Sequence, residues 1–155
     1  MQMKRETTVA IKVSENHRRS ISITLQLIDQ ALCEWDDWTS GRLQSSIMYR
    51  EIDTLSAIQK QQLNNKIANI RQLIVRLRDD LDLEPKNVAT ARSIATRASL
   101  LWEMLTELNS RGLSGYGTVP EELGRYLDPI GEQLAAETDE ITSLLSKPIT
   151  VPIRS

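Results

Sequence analysis

The stretch Ser56–Asp82, SAIQKQQLNNKIANIRQLIVRLRDDLD, decides the fold class. Its Leu63, Ile67, Ile70, Ile74, Leu77 and Leu81 recur at alternating steps of four and three, which places them on one stripe of an α-helix. Ser56 and Gln59 have the spacing of a capping box, in which each side chain satisfies the other residue's free backbone amide. Pro85 closes the helix, because the residue before a proline avoids helical angles. A helix over 57–82 is about 39 Å long at 1.5 Å per residue. Its stripe needs other helices to cover it.

The flanking sequence supplies them. Ile21, Leu25, Ile28, Leu32 and Trp35 form a second stripe and predict a first helix over 14–39, ended by Gly41 in a left-handed conformation. Leu43, Ile47 and Ile52 do not continue the register of the 57–82 stripe, so a break near 53–55 leaves a short helix at 42–52. A further helix over 87–110 carries two adjacent stripes, one through Ile94, Ala98, Leu101 and Leu105, the other through Ala91, Ala95, Ala98 and Trp102. Its alanines allow a neighbour to approach closely, and Gly112 ends it. Thr118-Val119-Pro120-Glu121 is again a capping-box pattern, with proline in the first turn. The last helix runs from there to about Ser146, with a seam through Leu123, Leu127, Ile130, Leu134, Ile141 and Leu144. Pro129 predicts a kink, or a restart capped by Asp128.

These elements predict an all-α fold: an antiparallel up-down four-helix bundle, with the short helix across one end, in a single domain over 1–155. The tails, 1–13 and 147–155, alternate instead. Val9, Ile11 and Val13 share one face of an extended segment, and Ile149, Val151 and Ile153 share another. In such a bundle both tails leave from the same end, which suits an antiparallel two-stranded ribbon. A lone ribbon is marginal in water, so the expectation is a dimer made by the tails; frayed termini are the alternative.

Composition closes several chemical options. Among 155 residues, 19 basic and 21 acidic side chains give a net charge of −2, with one histidine and one cysteine. The di-metal chemistry common in helical bundles needs Glu-x-x-His motifs on facing helices, and His17 stands alone. It reads as an exposed first-turn residue. Glu34 with Asp37, Glu103 with Glu107, and Glu137 with Glu140 are the carboxylate pairs at helical spacing. Only Glu137 falls on an apolar stripe: it reads as a seam residue at a solvated end or paired with an arginine, and the alternative makes Glu137 and Glu140 divalent-metal ligands. The glycine-rich loop 112–117 lacks the lysine of a phosphate loop, and Glu121 and Glu122 follow it. Cys33 has no second histidine to serve as its base and reads as a packing residue.

Charge is uneven: residues 1–100 carry +3 and residues 101–155 carry −5. The basic stripe Lys60, Lys66, Arg71, Arg76, Arg78 has no interleaved aromatics, which argues against nucleic acid and for a solvated face. Glu34-Trp35-Asp36-Asp37-Trp38 is the most unusual segment. Trp38 lies beside the seam, and with Tyr49 and Arg50 it forms a candidate interface cluster. The alternative is that the short helix covers Trp38. No apolar run within a helix exceeds three residues and no signal sequence is recognisable, so a cytoplasmic protein without membrane segments is expected.

The reading is a non-catalytic helical-bundle protein without a cofactor. It acts through protein–protein contacts, as a homodimer, with an unidentified protein partner as a further possibility. The alternative is an enzyme or small-ligand-binding bundle using Glu137 and Glu140 with a divalent metal.

Overall fold

Helical periodicity governs the structure as it governs the sequence. The computed structural model describes residues 11–146 and is all-α there: α1 Glu15–Thr39, α2 Ala57–Asp80, α3 Thr90–Leu105, the one-turn α4 Ser110–Leu113, a 3-10 turn Ser114–Tyr116, and α5 Glu121–Ser146. The chain divides into two compact units, Met1–Lys86 and Asn87–Ser155.

In the first unit α1 and α2 form an antiparallel hairpin. Arg18, Leu25, Leu32 and Thr39 on α1, and Lys60, Ile67, Ile74 and Leu81 on or just past α2, follow one another at steps of seven. All eight are buried or half-buried. They form the seam between the two helices. Leu32 is completely buried and Ile67 nearly so. At one end the Arg18 guanidinium donates to the Leu81 carbonyl (2.8 Å) and to that of Asp82, taking up two groups that the end of α2 leaves free. Further along, Arg71 on α2 pairs with Asp36 on α1 at 2.6 Å. Arg71 is therefore a tie between helices, where the sequence reading made it a solvated surface residue.

The starts of α1 and α2 carry side-chain caps, α3 has none, and α5 begins at Glu121, so Pro120 precedes its first turn and the expected Thr118 start is not observed. Ser14 Oγ accepts from the amide of His17, and the Ser56–Gln59 box is complete, at 3.1 Å and 2.9 Å. The segment 42–52 is not a helix. It is a tight reversal with an antiparallel bridge between Ser45 and Arg50, in which Glu51 N donates to Gln44 O (2.8 Å) and Ser46 N to Tyr49 O (2.9 Å). A helix of that length is marginal alone, and Ser45 and Ser46 are poor interior helix residues. The break at 53–55 is real: Asp53 accepts from the Leu55 amide and pairs with Lys60.

In the second unit α3 ends five residues early. Thr106 turns its hydroxyl onto the Glu103 carbonyl (2.7 Å), and Asn109 donates to the Thr106 carbonyl (2.7 Å) while accepting from the Gly112 amide (2.9 Å), so the chain leaves the helix and restarts as α4. α5 runs unbroken through Pro129, which is exposed, so water can reach the carbonyl that loses its partner. Asp128 caps no restart; it receives Ser110 instead.

α3 and α5 pack antiparallel on small residues. Ala98, Gly124 and Gly131 are buried; Ala95, Ala135 and Thr138 are half-buried, as are the larger Leu105, Leu127 and Leu145. A methyl group at Gly131 would collide with the Leu108 carbonyl, and one at Gly124 with the Ser110 hydroxyl. At Gly131, where the neighbour is backbone, only glycine lets the 106–113 turn lie this close to α5. Of the large-residue seam expected for α5, Leu127 stays half-buried and the rest is rotated out of this contact. Leu123, Ile130, Leu134 and Ile141 are each about two-fifths exposed, and Leu101 of α3, expected in the core, is 46% exposed.

Of the expected tail strands, Val9, Ile149, Val151 and Ile153 lie outside the described residues. Ile11 and Val13 are inside them, in coil; the Ile11 amide donates to the Asp80 carbonyl of α2 at 3.3 Å.

Candidate functional site

Each helical hairpin has one broad apolar side, and helix geometry makes it so. With 3.6 residues per turn, Ile28 and Trp35 fall to one side of the Leu25–Leu32 stripe of α1. Ile70 and Leu77 fall to the same rotational side of the Ile67–Ile74 stripe of α2. Because the helices run antiparallel, both sets share one broad side of the hairpin. Ile28, Trp35 and Leu77 remain more than a third exposed there.

The second unit repeats the arrangement with larger effect. Ile94 and Leu101 lie beside the Ala98 stripe of α3, and Leu123, Ile130, Leu134 and Ile141 lie beside the Gly124–Gly131 stripe of α5. All six are uncovered by 39–52%. Met104, Tyr126 and Leu144 edge this face and are about 70% exposed. With free side chains of roughly 150–200 Å² each, the nine leave on the order of 800 Å² uncovered. That exceeds the few hundred Å² of an ordinary surface patch.

The interface residues read from sequence are only partly brought together. Trp38 remains 37% exposed at the end of α1, and no short helix covers it. Tyr49 and Arg50 belong to the 45–50 reversal, where the Tyr49 hydroxyl donates to Gln44 Oε1 at 2.7 Å. Ile47 and Met48 form its tip and are 95% and 90% exposed, a feature the helical reading of 42–52 concealed. Runs of serine followed by apolar residues with no helical period could have signalled the reversal.

Groups able to perform chemistry are scattered. Ser110 donates through its amide (2.7 Å) and its hydroxyl (2.9 Å) to Asp128, at one wall of an open cleft of about 500 Å³ that Leu105, Arg111, Glu132 and Ala135 also line. This Ser–Asp pair has no histidine, and Asp128 holds the α4 turn against α5. Glu137 and Glu140 are exposed on α5, so neither is a buried carboxylate in need of a partner. Among the described residues no three His, Cys, Asp or Glu side chains converge as metal ligands. The hydrogen bond from Lys60, followed by that from the Leu55 amide, holds the Asp53 carboxyl below its usual range. The bond to Asp36 raises the Arg71 guanidinium above its ordinary value. Both shifts come from ties that shape the first hairpin. No described helix is long and apolar enough to cross a membrane.

Comparison with family models, with curated proteins and with solved structures finds no match to this chain.

Proposed function

We propose that this protein is a non-catalytic helical module that works through protein–protein contact, as a homodimer. The observation that carries the reading is the broad apolar face of the α3–α5 hairpin, whose large side chains lie outside the contact that holds their own unit together. Isolated exposed leucines are ordinary on protein surfaces, but a continuous face of this size marks an interaction surface. Cys33 is exposed rather than a packing residue, and its free thiol suits a reducing compartment such as the cytoplasm.

Light scattering of the full chain across a hundredfold concentration range tests the homodimer. A mass that rises to twice 17.6 kDa supports it, and a constant 17.6 kDa refutes it. Thermal melts with magnesium or manganese test the absence of a metal role. A melting temperature unchanged by either ion is expected, and a large metal-dependent rise would replace this reading with a carboxylate–metal one.

A further inference from the structure

We propose that the α3–α5 face packs on the same face of a second copy about a two-fold axis parallel to the helices, with Arg97 opposite Glu137 of the partner subunit. The inference rests on the homodimer reading and deepens it by naming the face, the symmetry and the charged pair.

Area is the first argument. The face and its edges leave on the order of 800 Å² uncovered, the amount each partner contributes to a standard interface. A face met by its own copy across a two-fold axis is self-complementary by construction, and two stacked helical hairpins make a four-helix core.

Charge selects the axis. Across the α3 positions 90, 94, 97, 101 and 104 and the α5 positions 123, 126, 130, 134, 137, 141 and 144, the charged residues are Arg97 and Glu137. They stand on opposite outer edges of the face, Arg97 beyond Ile94 and Leu101, Glu137 beyond Leu134 and Ile141. Both are exposed, and among the described residues neither forms an ion pair. The antiparallel packing sets them within about one turn of the same level along the hairpin. An axis parallel to the helices lays each α3 over the partner's α5, so both arginines meet glutamates, twice per dimer. An axis running across the helices lays α3 over α3. Each arginine then faces a helix whose one charge on that face is another arginine. Opposite charges at a rim fix register, and like charges disfavour the wrong one.

The test is charge reversal in the full chain, read by sedimentation equilibrium, with circular dichroism confirming unchanged helix content. Arg97→Glu and Glu137→Arg should each weaken the dimer about tenfold, since each creates two like-charge contacts per dimer. The double reversal should return to within about threefold of wild type. If the double variant is weaker than either single one, or if all variants dimerise like wild type, the pairing is wrong while the homodimer stands. A chain that is monomeric throughout overturns the homodimer reading and the pairing with it.

Discussion

The two hairpins solve the same packing problem with opposite residues. α1 and α2 meet through large side chains at seven-residue steps, Leu25 and Leu32 against Ile67 and Ile74, and are tied by polar groups at Arg18 and Arg71. In the second hairpin Ala98 is the buried residue of α3, while Gly124 and Gly131 of α5 lie against the 106–113 turn, Gly131 next to the Leu108 carbonyl. In the first hairpin the strongest apolar stripe is the internal seam. In the second, small residues share the seam with Leu105, Leu127 and Leu145, and most of the other large ones face outward. An apolar stripe therefore shows where a helix will be covered, but not by what.

The largest effect should come from the buried centre of the first hairpin. Leu32→Ala removes a side chain with no exposed surface and should cost about 2–5 kcal/mol in chemical denaturation. A loss below about 1 kcal/mol would mean that the seven-residue seam is misplaced. Its counterpart in the second hairpin is an addition. Gly131→Ala inserts a methyl group against the Leu108 carbonyl and should cost about 1–3 kcal/mol. If it instead stabilises, as a glycine-to-alanine change does in an open helix, the close approach of α5 to the turn does not exist.

Smaller effects sharpen the contrast. Ser56→Ala removes the oxygen that accepts from the Gln59 amide and should lower stability by about 1 kcal/mol. A rise in melting temperature would indicate a helix continuing through 53–56. Leu101→Ala, on the outward side of α3, should change the stability of the monomer by less than about 1 kcal/mol. A loss of about 3 kcal/mol at concentrations where the chain is monomeric would place Leu101 in an internal core.

Helix existence was legible because caps and periods are local. Ser56 with Gln59, and the apolar steps of α1 and α2, carry their own instructions, and the fold class follows from them. The reversal at 45–50 was not legible, because two backbone hydrogen bonds and the Glu51 side chain hold it and no apolar period describes it. The early end of α3 depends on Thr106 and Asn109 turning back onto the chain, which competes with a helical pattern that continues to Leu108. The rotation of α5 was hidden for a different reason. Glycine has no side chain to enter an apolar stripe, so Gly124 and Gly131 drop out of any hydrophobic pattern although they make the closest contact. Glu137 drew attention as a carboxylate on that stripe; once the stripe faces outward, it becomes an edge charge.

A charge at the centre of the outward face of the second hairpin tests whether two copies meet there. Leu134→Glu places a charge at the middle of that face, away from the buried Gly124–Gly131 stripe of α5. Sedimentation of the full chain carrying this substitution should give a single species of 17.6 kDa at concentrations where wild type sediments at twice that mass, with helix content unchanged. A Leu134→Glu chain that still sediments as a dimer would show that the two copies meet somewhere else.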